Sequence, residues 1–150
     1  MGDVGAQWDA RFSAEGFACG TEPNDWLVEA AARFLPAAPL DVLSLGEGEG
    51  RNGAFLASRG HRATALDASK VGLEKAVSLA AGHGLSLDPW HVDLSTVQLP
   101  ASAYGAVVSI SCHLPPPVRA RAHGQAVAAL RPGGVLLLEA YTPAQLRFQT

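Results

Sequence analysis

Short aliphatic runs alternate with helical-period stretches from Leu40 onward, and this alternation restricts the chain more than any other feature. Strands that recur on either side of a helix run parallel, because a parallel pair needs a crossover long enough to hold one, so βαβ units are predicted. Leu40-Asp41-Val42-Leu43-Ser44-Leu45 reads as the first strand. A glycine-rich turn follows, then a short helix from about Arg51 to Arg59, with Gly60 where a left-handed residue closes it. His61 to Asp67 reads as the second strand. Ser69 caps the next helix, which sets Leu73, Ala76, Val77 and Ala80 on one face before Gly82. Leu85 to Val92 reads as a third strand, held to a sheet edge by Pro89, which has no N–H for the ladder. Tyr104 to Ser111 reads as the fourth strand. Pro115-Pro116-Pro117 opens a helix reaching Leu130, and the aliphatic run Gly133 to Ala140 reads as a fifth, buried parallel strand.

Ahead of the sheet lie a segment around Trp8 to Phe12 and a helix capped by Asn24, with Leu27, Ala30, Ala31 and Phe34 on one face until Pro36. The predicted fold is one α/β domain, with residues 1–38 as an N-terminal helical cap and 39–150 as the core. The core is a Rossmann-like, doubly wound parallel sheet of order 3-2-1-4-5. Its ligand crevice is expected at the strand carboxyl ends, beside the switch between strands one and four. A content of 48% hydrophobic and 17% charged residues excludes disorder. The net charge of −3, without a basic run, argues against nucleic acid or an anionic membrane as partner. No apolar run approaches the roughly 18 residues of a membrane span. Met1 to Ala6 has neither the basic nor the apolar part of a secretory signal, and Cys19 and Cys112 read as free thiols of a reducing compartment. A cytoplasmic protein with a small-molecule partner is expected, and no metal site.

The chemistry concentrates at Gly46-Glu47-Gly48-Glu49-Gly50-Arg51-Asn52, between strand one and its helix. Alternate glycines let a ligand approach backbone amides, and the helix N-terminus adds partial positive charge, so a polar or anionic group fits there. Gly48 to Gly53 also matches G-x-G-x-x-G, with Asp67 where a ribose-binding acid belongs, which keeps a nicotinamide-dependent oxidoreductase as an alternative. Two glutamates in the loop would repel a pyrophosphate, and no second mononucleotide half follows. Asp67 suits either ribose hydroxyls or support of the Ser69 cap. Asp93 and Leu94 suit either an adenine amine and ring face or a solvated loop. Ser111-Cys112-His113-Leu114 ends strand four, where His113 either meets an acceptor or stays structural, and Cys112 serves more naturally as a small apolar side chain. Arg119 and Arg121 read as solvated helix residues, with Arg119 also in reach of an anionic substrate; Trp8, Phe12 and Trp26 pack a helix on the core or form a lid.

These residues resemble the class I S-adenosylmethionine-dependent methyltransferases, and within them the branch of the tellurite-resistance and thiopurine methyltransferases. The glycine loop, Asp67, Asp93-Leu94 and Leu130-Arg131-Pro132-Gly133-Gly134 match the family over about Leu40 to Thr142. Gly20-Thr21-Glu22-Pro23-Asn24, Gly48 to Asn52, Cys112 to Pro115 and Glu139 to Pro143 match the branch. The resemblance implies S-adenosylmethionine as cofactor, held by Gly46, Glu47, Gly48, Gly50, Arg51 and Asn52, with its ribose at Asp67 and Ala68 and its adenine near Asp93 and Leu94. Ser111 and Asn24 complete the expected cofactor set; the resemblance implies that Trp8, with Glu22, Pro23 and Asn24, covers the cofactor and substrate, and His113, Trp8 and Arg119 are the candidate acceptor-positioning residues. Methyl transfer to a small soft or thiol-like acceptor is the implied activity; the alternative is a truncated, non-catalytic cofactor-binding module.

Two mild departures are Ser44, where the family often has an acid, and Gly105, where it has Asp. The third is that strands 6 and 7 of the family fold are expected to be missing. That would leave Gly134 to Glu139 as an exposed edge and favour a homodimer through it.

Overall fold

The computed structural model describes residues 3–148. Its elements in chain order are α1 (Val4–Phe12), α2 (Asp25–Phe34), β1 (Asp41–Leu45), α3 (Arg51–Ser58), β2 (Arg62–Asp67), α4 (Lys70–Gly82), β3 (Asp88–His91), β4 (Tyr104–Ile110), α5 (Pro116–Ala129) and β5 (Leu130–Glu139), followed by a 3-10 turn at Pro143–Phe148. The five strands form one parallel sheet in the order β3-β2-β1-β4-β5, as the alternation predicts. Among the described residues no helix is long and apolar enough to cross a membrane.

The strand period of two sends alternate residues to opposite faces. Val42, Ala63, Ala65, Ala106 and Val108 join Leu27 and Ala30 of α2, Leu56 of α3 and Leu73, Ala76 and Ala80 of α4 in one apolar cluster. Leu43, Leu66 and Val107 face the other way, against Ala122, Ala126 and Ala129 of α5 and the Leu94 and Val97 loop. Truncating a side chain such as Leu43 or Leu56, which are fully buried, costs about 2 to 5 kcal/mol. The caps form where expected: Asn24 Oδ1 accepts from Leu27 N at 2.9 Å and Ser69 Oγ from Gly72 N at 3.0 Å.

Three expectations change. β3 covers only Asp88–His91, because Leu85 and its neighbours still belong to the turn that closes α4. β5 starts at Leu130, through a register shift opposite Tyr104 and Ala106, and it is not the buried strand its composition predicts. It lies at the sheet edge, so only Leu137 among its aliphatics is buried. Phe34 is 50% exposed rather than part of the α2 core face, since it ends the helix and its ring lies 5.1 Å from the Arg33 guanidinium.

Candidate active site

A crevice of about 360 Å³ opens at the carboxyl ends of β1, β2 and β4, the switch point of the sheet. Gly46 and Gly48 form one wall, Asp67 and Ala68 the end of β2, Val92, Asp93, Leu94 and Ser95 the wall after β3, which includes the expected Asp93 and Leu94, and Ser111 to Pro115 the β4 side. Val4, Trp8 and Phe12 of α1 close it from above. Parallel strands carry every βα loop to this edge, which is why residues far apart in sequence meet here.

The glycine loop is shaped by close packing as much as by turning. Gly46 has φ +60, and a Cβ there would lie 2.6 Å from Cys112 Sγ. Gly50, at φ +102, would place a Cβ 2.5 Å from Ala76 Cα, so the loop rests directly on α4. Between them, Gly48 N donates to Asp67 Oδ2 at 2.8 Å. Asp67 Oδ1 accepts from Ser69 N at 2.8 Å, so this carboxyl supports the α4 cap and lines the crevice at once. Each oxygen keeps a further lone pair for a ligand hydroxyl. Burial pushes the Asp67 carboxyl up from the ordinary aspartate value, against the opposing pull of these backbone bonds.

α1 is fastened over the crevice by groups that sequence patterning does not single out. Asp9 Oδ1 accepts from Ser69 Oγ at 2.6 Å and from Val71 N at 3.1 Å, tying α1 to the start of α4. Phe12 is buried against Gly48 and Gly72, and Trp8 stacks on it at 5.4 Å while remaining 43% exposed. Trp8 therefore lines the crevice from α1, and Phe12 anchors that helix in the core. Arg121, expected to be solvated, donates to the carbonyls of Leu94 at 3.2 Å and Thr96 at 3.4 Å and so holds the wall opposite. A helical position alone gives no hint that its guanidinium reaches a neighbouring loop.

Several expected site residues stand elsewhere. Glu47 and Glu49 do not line the crevice. Glu47 turns beneath the loop, where it bonds to Ser44 Oγ and Gly53 N. Glu49 accepts from Ala18 N at 2.7 Å and pairs with Lys75 at 2.9 Å. Arg51 and Asn24 line a separate, more open polar hollow with Glu22, Pro23 and Glu139. There Asn24 N donates to Asn52 Oδ1 and Asn24 Nδ2 to Glu139 Oε1, both at 2.9 Å. The left-handed residue Gly50 turns the chain into α3 and carries Arg51 and Asn52 away from the crevice wall. Arg119 is on the exposed side of α5 and does not line the crevice, whereas Val118 beside it does.

His113 is at the crevice mouth, its ring stacked on Tyr141 at 5.1 Å and 10°. Ser111 adopts φ +51, a left-handed conformation uncommon outside glycine, and donates its N–H to Glu139 O at 2.8 Å. Burial pushes the Cys112 thiol up to about 11, so it is protonated at neutral pH and acts as packing under Gly46.

The methyltransferase domain family model matches residues 42–134, from β1 into β5. A SAM-dependent methyltransferase of Geobacter sulfurreducens, solved in complex with S-adenosyl-L-homocysteine, superposes with a TM-score of 0.70 at 21% identity, over 91% of this chain and 55% of that one. A protein described by the conversion of a disulfide bond into a thioacetal group during echinomycin biosynthesis gives 0.75 at 22% identity, over 89% and 57%. The [4+2]-cyclase SpnF gives 0.71 at 22% identity, over 89% and 57%. The chain thus spans about half the length of the solved structures it matches. No curated protein gives a significant match. With the family model covering more than half of the residues and the sheet in the order that the model's fold requires, the chain belongs to the methyltransferase domain family.

Proposed function

We propose that the crevice binds S-adenosylmethionine and that the chain carries methyl transfer to a small soft acceptor, such as a thiol or another polarizable anion. The observation that carries this reading is the Gly48–Asp67 bond, which sets a loop of approachable backbone beside a carboxyl with spare acceptor capacity. In this reading Asp67 takes the ribose hydroxyls, and the backbone of Gly46 and Gly48 meets the amino-acid end. Asp93 and Leu94 flank the adenine, whose flat ring suits the apolar walls from Leu66, Val92, Leu114 and Val118. The volume, about 360 Å³, falls in the range usual for small-molecule sites. The solved S-adenosyl-L-homocysteine complex of the Geobacter protein has the same fold and supports the choice of ligand.

The cofactor supplies an activated methyl group on a sulfonium when bound. The protein's share is therefore alignment and exclusion of water, and a soft anion needs no general base. Trp8 and Phe12 exclude water from above, and His113, oriented by Tyr141, lines the acceptor's entrance. Cys112 takes no covalent part in this reading, since its thiol, pushed up to about 11, stays protonated at neutral pH and packs under Gly46. The tellurite and thiopurine branch is the finer placement we favour, on Gly20 to Asn24 and Cys112 to Pro115.

Calorimetric titration with S-adenosylhomocysteine, with NADH as control, tests the reading. Binding near micromolar, about −8 kcal/mol, is expected for the first and none for the second. A folded sample that binds NADH, or that binds neither, would overturn it.

A further inference from the structure

The penultimate residue of β1 is a hydroxyl, Ser44, where the methyltransferases this chain resembles often carry an acid, and the loop that follows introduces an acid three residues later, Glu47. In the fold the two meet. Glu47 turns back under the loop, its Oε2 accepting from Ser44 Oγ and its Oε1 from Gly53 N at 2.6 Å. The residue is 8% exposed, and its bonds go to a hydroxyl and an amide rather than to a cation. A carboxyl buried in this way is unfavourable unless it organises its surroundings. Here it bridges three pieces of chain: the end of the strand, the loop and the first turn of α3.

Gly53 explains how the carboxyl fits. A Cβ at that position would lie 3.0 Å from Glu47 Oε1 and 3.0 Å from Leu87 Cδ1, so the missing side chain leaves the room that Glu47 fills. The G-x-G-x-x-G match of Gly48 to Gly53 thereby acquires a use that involves no dinucleotide. On its other side the loop is held by the bond from Gly48 N to Asp67.

We propose that Glu47 is a positioning residue: from inside the loop it supplies a carboxyl at the end of β1, where the strand itself has Ser44, and with Ser44 and Gly53 it holds the glycine loop in the shape that receives the amino-acid end of S-adenosylmethionine. The holding of the loop stands on the geometry alone, and its ligand rests on the function proposed above.

The test is a swap in the full chain, comparing Glu47→Ala, Glu47→Gln and the double variant S44D/E47A. Amide hydrogen exchange over residues 46–53 reads the loop, and titration with S-adenosylhomocysteine reads the site. Loss of a buried bond to the carboxyl should speed loop exchange and weaken binding by about tenfold or more in Glu47→Ala. Glu47→Gln, which can still accept from Gly53 and donate to Ser44, should exchange no faster and bind no more weakly than wild type. The double variant, with its acid moved to the strand end, should recover most of both losses. Unchanged loop exchange in Glu47→Ala would overturn the proposal. So would a double variant that does not fold or exchanges as fast as Glu47→Ala. Should the wild type fail to bind the ligand, the cofactor reading falls, while the exchange data still decide the role of Glu47.

Discussion

Replacing Glu47 with Gln should change how stability depends on pH. Burial, with a smaller contribution from the charge of Asp67, pushes this carboxyl from the ordinary 4.5 up to about 7, against the opposing pull of the bonds from Ser44 and Gly53 and the charge of Arg51. The folded protein therefore holds this proton over a range in which the unfolded chain has released it. Stability is at its fullest below about pH 4.5, falls as pH rises toward about 7, and levels off beyond. The interval corresponds to roughly 3 kcal/mol for this one group. Gln keeps the shape and the bonds but cannot ionise, so the Gln variant should gain on the wild type by that amount between about pH 4.5 and pH 8. Urea unfolding of both proteins in parallel buffers measures it, and the difference between the two curves cancels the other titrating groups. Asp41, held down to about 2 by Arg62 and Arg131, has the opposite sign and changes only at lower pH. A difference that stays flat within about 0.5 kcal/mol across the range would refute the reasoning.

Other consequences are open to simple measurements. Gly50→Ala should destabilise by roughly 2 to 4 kcal/mol in the same unfolding assay, because it adds a Cβ against Ala76 at a left-handed φ. Asp67→Ala should abolish S-adenosylhomocysteine binding in calorimetry and lower stability by roughly 2 to 4 kcal/mol, as two amides lose their acceptor. Asp9→Ala should undock α1, seen as a red shift of tryptophan emission and weaker ligand binding; an unchanged spectrum would count against the lid. Toward a thiol reagent, exposed Cys19 should react at least about a hundredfold faster than Cys112, until denaturant equalises them.

The positions of the glycines, caps and strands were legible because each depends on a few neighbouring residues. Gly50 and Gly60 both take the positive φ that their places in the chain require, and Asn24 and Ser69 both cap their helices. The crevice walls from Gly46 to Asp93 follow from the same local order, since a parallel sheet brings each βα loop to one edge. Phe34 and the buried reading of β5 differ from the structure for one reason: a periodic pattern reports which residues share a face, not whether another layer covers that face, whereas the edge place of β5 follows from the strand order and is where the strand lies. Arg121 and Asp9 were missed because long polar side chains reach partners that no spacing rule connects.

The sequence by itself determined the α/β order, the sheet topology and the neighbourhood in which the glycine loop, Asp67 and Asp93 meet, because these follow from local periodicity and the connection rules of parallel strands. Tertiary structure alone decided which way each polar side chain turns. Glu47 and Glu49 sit in a loop that reads as ligand-facing, yet both point inward. The room left by Gly53 and the ammonium of Lys75 are available to them only once α3 and α4 have packed beside the loop.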